Sequence, residues 1–231
     1  MENLAAWLVE AGPSAIAWGG LIIGAVFGFT VQRSNFCTMG SLNDIHVFGD
    51  TKRFRTWMLS IAVAIAATLV LGRMGAFDIG RSMYLTASVP LGGAIVGGLL
   101  FGIGMVFGGG CATRNLVRVG AGDVRSLMVL LVMGLFAYMT IGGILGPLRV
   151  ALLDPLTIDL SERAATQGLG DLLAAATGME PGTALTVAAS LVVVAILAYC
   201  FADAGFRKAW GAIAAAVIFG LCVAAGWVLT G

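Results

Sequence analysis

Six stretches of the chain are apolar for long enough to cross about 30 Å of hydrocarbon. They predict helices over residues 15–32, 56–71, 90–107, 127–145, 183–201 and 209–229. Several are short for a bilayer, and glycine interrupts them. Short or glycine-broken spans in corresponding positions of repeated halves mark discontinuous helices around a central site.

Composition turns these stretches into a class. Of 231 residues, 59% are apolar and 11% charged, against about 45–50% and about 25% in soluble domains, which excludes an ordinary cytosolic enzyme. A net charge of +1 offers no basic stripe, so nucleic acid is excluded as a partner. Of the 34 glycines, sixteen lie inside the predicted spans, where membrane helices tolerate them. The sequence therefore predicts an all-α polytopic membrane protein, one transmembrane domain over residues 1–231 with the lipid bilayer as its surroundings. The segment before Pro13 carries Glu2 and Glu10 but no Lys or Arg, unlike a cleavable leader, and no processing is expected.

Of the thirteen Lys and Arg, nine fall in the first, third and fifth connections; Arg73, Arg81, Arg149 and Arg163 fall elsewhere. That bias predicts odd-numbered connections in the cytoplasm and both termini outside, in a cell inner membrane. The longest connection, 146–182, gathers acidic residues and prolines and is expected in water as an outer cap without chemistry. Within it Asp171 is expected to N-cap a short helix ending before Gly178, and Pro181 to open the next span.

An internal repeat centres on cysteine. Superposing Cys37 on Cys111 also superposes Gly24 on Gly98, Phe27 on Phe101 and Gly28 on Gly102. Each cysteine is followed by a polar stretch ending in Gly-Asp (Gly49-Asp50, Gly122-Asp123), then basic residues, then another span. Repeat units 15–71 and 90–145 are thus like-oriented copies of helix, re-entrant or broken cysteine turn, charged loop and helix, a parallel repeat followed by the helical pair 183–229. The turns read Arg33-Ser-Asn35-Phe-Cys37-Thr38-Met-Gly40 and Gly108-Gly109-Gly110-Cys111-Ala-Thr113-Arg114-Asn115. Three glycines unwind the chain, and amides at the start of the next short helix form a concave donor array suited to an anion. Such backbone is tolerable inside a membrane only where it lines a protein cavity.

A thiol there adds a weak donor with a polarizable sulfur, suited to a sulfur-bearing anion and weak enough to let it leave. Arg33 and Arg114 are expected near the mouths. With Asn35, Thr38, Thr113 and the three glycines, these residues are the candidate substrate path. Phe36, Met39 and Met105 flank the turns as a candidate apolar constriction.

In these motifs and over most of its length the chain resembles the YeeE/YedE sulfur-transport family. The resemblance implies uptake of thiosulfate or a related sulfur or selenium anion, with Cys37 and Cys111 passing it along by S–H hydrogen bonds. It also implies a departure: full-length members have a second, related half with a further Gly-Cys motif, so either the sequence is a truncated version of a longer chain, or a second copy or a partner subunit supplies that half. Cys200 and Cys222 lie in helical apolar runs and read as small core hydrophobes.

Other readings frame this one. Without Cys-x-x-Cys, and with His46 the single histidine, neither a metal site nor a dithiol motif is encoded, and without a Gly-x-x-x-x-Gly-Lys motif no nucleotide powers transport. No cofactor is expected, and the chain reads as a transporter and not an enzyme. The rivals are a membrane persulfide carrier and a non-conducting subunit of a larger transporter. Gly20, Gly24 and Gly28 read as a small-residue ridge for helix packing, Asp50 and Asp123 as helix caps, and His46 as a solvated residue.

Overall fold

A computed structural model describes residues 2–77, 80, 82, 85–162 and 164–230, with side chains from residue 14 onward. Arg81, Arg163 and the side chains of Glu2 and Glu10 lie outside the described residues. Among the described residues six helical segments are long and apolar enough to cross a membrane, and the chain is an all-α polytopic membrane protein. Large apolar side chains such as Phe107 and Phe29 face outward, as they do where lipid is the solvent.

The elements are α1 (Glu2–Ser34), α2 (Thr38–Asn43) running into a π-helical turn (Asp44–Phe48), α3 (Lys52–Arg73), β1 (Ser88–Pro90), α4 (Leu91–Phe107), α5 (Ala112–Gly120), α6 (Val124–Ile141), α7 (Leu145–Leu153), β2 (Thr157–Asp159), α8 (Leu169–Thr177), α9 (Pro181–Phe201), α10 (Ala204–Arg207) and α11 (Trp210–Thr230). The second span is longer than its apolar run, because Lys52, Arg53 and Arg55 are helical too. The expected helix 127–145 instead starts at Val124 and ends at Ile141. There Gly142 and Gly143 bend the chain so tightly that a Cβ on Gly143 would sit 2.7 Å from Met139 Cα, and α7 starts beyond them. The small antiparallel pairing of β1 with β2, Val89 opposite Ile158, has no counterpart in the sequence reading; it ties the start of α4 to the 146–182 connection.

Helix α11 is central to the larger bundle, packed on α1 and α3, while α9 covers α3 and α8 covers α9. Small residues let α11 come close: Ala215, Ala216, Gly220 and Ala224 are buried on it. Leu59, Cys200, Phe206 and Ala216 form one core cluster, where the Cys200 thiol donates to the Arg55 carbonyl at 3.3 Å. Arginines fasten α3 to α9 at both ends. Arg55 donates to the Tyr199 and Cys200 carbonyls and lies over the Tyr199 ring, and Arg73 donates to the Gly182 carbonyl and the Thr186 hydroxyl.

Three local expectations meet different fates. Asp123 caps α6, accepting from the Arg125 amide at 3.0 Å and the Ser126 hydroxyl at 2.8 Å, which hold its carboxyl below the usual carboxylate range. Asp50 sits one residue before the cap position Thr51 and still accepts from the Lys52 amide at 2.9 Å. Asp171 is not the cap of α8: Gly168 is, and Asp171 lies in the first turn, accepting from the Thr166 hydroxyl. Gly178 (φ +71°) does end that helix and Pro181 opens α9. Among the described residues Gly20, Gly24 and Gly28 pack against no helix, since a Cβ on any of them would meet nothing within 4 Å.

The glycine that does pack is Gly220. A Cβ there would stand 2.6 Å from Val63 and 2.8 Å from the Ala64 backbone nitrogen, and backbone cannot swing aside. Gly220→Ala is expected to destabilise the protein by about 1–3 kcal/mol through overpacking, read as a lower midpoint of thermal unfolding in detergent. Gly24→Ala, facing open space, is expected to leave the midpoint unchanged or raised. Equal midpoints for the two variants would contradict the α3–α11 packing.

Candidate functional site

Both cysteine turns begin with a helix that must stop, and each stops on a left-handed residue two positions before its cysteine. In the first it is Asn35 at φ +50°, in the second Gly109 at φ +66°. Asparagine is among the few residues with a side chain that tolerate this region. Each cysteine is then the extended N-cap of a short helix, Cys37 of α2 and Cys111 of α5.

The three glycines of the second turn are not a nest of free donors. The amides of Gly108, Gly109 and Gly110 return to the carbonyls of Gly104, Val106 and Met105 at 2.8, 3.2 and 3.0 Å, closing α4 in a Schellman-type end. Their carbonyls are also taken. Asn115 Nδ2 donates to Gly108, Gly110 and Cys111 oxygens at 3.2–3.4 Å, and Arg118 Nη1 donates to the Gly109 oxygen at 3.2 Å. The glycines make a rigid corner, and the amides left to face the site are those beyond it, at the start of α5.

That corner brings the two cysteines to one point. Cys37 Sγ lies 3.6 Å from Cys111 Sγ and donates to it; the residues are 4% and 8% exposed. The Gly40 amide donates to Cys37 Sγ at 3.4 Å. The Cys111 amide and the Arg114 side chain also face Cys37, while the amides of Thr38 and Arg114 face Cys111. Each sulfur is thus met by amides of both turns, where two helix N-termini converge with their partial positive charge. Cations stand next to it: a Cβ on Gly40 would be 2.7 Å from Arg53 Nη1, 3.5 Å from Cys37 Cβ and 3.7 Å from Arg114 Nη1. Arg53 is itself oriented by Asp44 at 3.3 Å. The arrangement gathers neutral S–H and N–H donors at one buried point with guanidinium charge alongside.

Of the residues read from sequence, Cys37, Cys111, Thr38 and Arg114 meet here. Arg114 stands beside the sulfurs and also lines, with Asn35, a polar cavity of about 200 Å³ between α1 and α5. Arg33 is apart, on a cavity of about 820 Å³ between α1, α3 and α11. Thr113 is half-buried in the first turn of α5. Phe36 packs its ring 4.1 Å from that of Phe219, so it anchors the first turn to α11. His46 is exposed and, among the described residues, no three potential metal ligands cluster. Sequence reasoning missed Asn115, Arg53 and Arg118. A signal was present for Asn115: it takes the place of Ser41 when the cysteines are superposed, and both are buried polar residues at 2% exposure.

A sequence profile for sulphur transport matches residues 33–231, and the chain belongs to that family. It is 28% identical to the thiosulfate transporter TsuA of Spirochaeta thermophila, over 77% of this chain and 53% of that protein. It is 32% identical to the thiosulfate transporter TsuA of Escherichia coli K12, over 54% of this chain and 33% of that protein. The chain spans about half the length, or less, of these relatives.

Asn115 generates a prediction. Asn115→Ala leaves the Gly108 and Gly110 carbonyls without their side-chain donor, a cost of about 1–3 kcal/mol, and frees the glycine corner, while the Cys111 carbonyl keeps the backbone amide of residue 115. Maleimide labelling of Cys111 in membranes is expected to speed up, with labelling of Cys222 unchanged. A Cys111 labelling rate equal to the parent's would show that Asn115 does not hold the turn.

Proposed function

We propose that this member of the sulphur transport family takes up thiosulfate or a closely related sulfur anion across an inner membrane, from outside to cytoplasm, along a path that runs past Cys37 and Cys111. The carrying observation is the meeting of the two thiols, 3.6 Å apart, at the convergence of two helix N-termini. Thiosulfate presents a soft terminal sulfur and hard oxygens. The thiols match the first, and the amides with Arg53 and Arg114 match the second. Neutral S–H and N–H donors hold a dianion weakly enough for it to move on, and the adjacent thiols let it pass from one turn to the other without leaving a donor.

In this reading the units 15–71 and 90–145 are parallel copies that contribute one cysteine turn each, and both termini lie outside. The path is completed by a second half, from the remainder of a longer chain, another copy or a partner subunit. Two observations support that. The named relatives are longer, and a groove of about 810 Å³ opens between α4 and α6 with Gly108, Gly110 and Asn115 in its lining, directly behind the Cys111 turn. On the other unit, α11 packs against both α1 and α3, so the two units are unequally covered.

The test is uptake of labelled thiosulfate into vesicles. Removing a thiol deletes a hydrogen bond to a charged group, about 1.5–3 kcal/mol, so Cys37→Ala and Cys111→Ala are each expected to lower uptake by about ten- to a hundredfold. Cys222→Ala is expected to leave it unchanged. Uptake unaffected by either cysteine would overturn the relay, and a persulfide found on either cysteine after turnover would favour sulfur transfer instead.

A further inference from the structure

Two buried thiols in contact can do more than donate hydrogen bonds. Among the four free cysteines, Cys200 is committed to the Arg55 carbonyl inside the α3–α9 core and Cys222 lies on α11. Cys37 and Cys111 face each other at 3.6 Å, on turns held from opposite sides. The Phe36–Phe219 contact fixes one turn and the Asn115 clamp the other. A disulfide needs its sulfurs at about 2.0 Å, so a small approach of two N-cap side chains closes the gap. Arg53 and Arg114, next to Cys37, favour thiolate attack and draw an anionic oxidant to the spot.

We infer that the Cys37–Cys111 pair is a dithiol modification site for tetrathionate, the disulfide-bridged oxidised dimer of thiosulfate, and that its oxidation locks the path. This rests on the transport reading for its consequence, but its chemistry stands on the pair alone. In the first step one cysteine sulfur attacks a bridging sulfur of tetrathionate. The central S–S bond breaks, thiosulfate leaves, the thiol proton is released, and an S-thiosulfonate remains on the protein. In the second step the other cysteine attacks the first cysteine's sulfur, expels the second thiosulfate and loses its proton. Two thiols are oxidised by two electrons to one disulfide, and one tetrathionate is reduced to two thiosulfates with two protons released. Both S–H donors are then gone, and the two turns are tied across the path until a thiol reductant reopens them.

The test treats the full chain in membrane vesicles with tetrathionate or, separately, with the neutral oxidant diamide, followed by alkylation and non-reducing peptide mapping. Labelled thiosulfate uptake is measured before oxidation, after it, and after dithiothreitol. The expected result is a linked pair of peptides containing Cys37 and Cys111 in both arms, with uptake lost on oxidation and regained on reduction. A chain carrying Cys200→Ala and Cys222→Ala is expected to behave the same. Cys37→Ser and Cys111→Ser, each with one thiol of the pair, are expected to stop at the S-thiosulfonate and form no link. Both thiols remaining alkylatable, or a link that leaves uptake unchanged, overturns the lock. A link formed in a chain that never moves thiosulfate upholds the dithiol site and overturns the transport reading, so the two failures are told apart.

Discussion

A helix that ends leaves its last carbonyls without intrahelical partners, and where the chain is buried the protein must satisfy them itself. The whole candidate site follows from how that constraint is met at Gly108–Gly110. The glycine amides turn back onto α4, and their carbonyls are collected by Asn115 and Arg118 from the next helix. With the chain end of α4 closed, the first amides of α5 and the Cys111 thiol are free to face Cys37. The first turn reaches the same geometry with different residues. Asn35 replaces the left-handed glycine, and the Phe36 ring, packed on Phe219, replaces glycine and clamp.

Much of the fold was legible because apolar length is a strong signal. The six spans were found from it, and their errors sit where the signal is weak. Lys52 to Arg55 extend α3 beyond its apolar run because charged residues remain good helix formers, and Gly142–Gly143 break a run that composition alone would continue. The site was legible in part. The pairing of Cys37 with Cys111 by repeated context singled out the two residues that touch. That they touch each other, with no separate cavity for each, depends on how α5 packs against both α1 and α6, and spacing along the chain carries nothing about that. Asn115 was overlooked because a polar residue four positions after a cysteine reads as ordinary helix surface until its burial is known. The ridge of Gly20, Gly24 and Gly28 finds no helix to pack against among the described residues, because a small-residue stripe reports close approach without naming the neighbour.

The two cysteine turns sit in unequal settings. The first is backed by α11, itself locked on α3 through Gly220 and Val63. The second is backed by the open groove between α4 and α6. Where no packed helix backs the second turn, Asn115 and Arg118 hold its polar backbone from α5 instead.

The central claim is that the sulfur anion visits the point where Cys37 and Cys111 meet. Its most direct measurement is ligand protection: the rates at which a membrane-permeant alkylating agent modifies Cys37, Cys111 and Cys222 in intact vesicles, followed by mass spectrometry with and without thiosulfate. The account predicts that thiosulfate slows modification of Cys37 and Cys111 in a saturable way and leaves Cys222 untouched, with sulfate protecting far less because it lacks the soft sulfur. Modification of the pair at the same rate in the presence and absence of thiosulfate would contradict it.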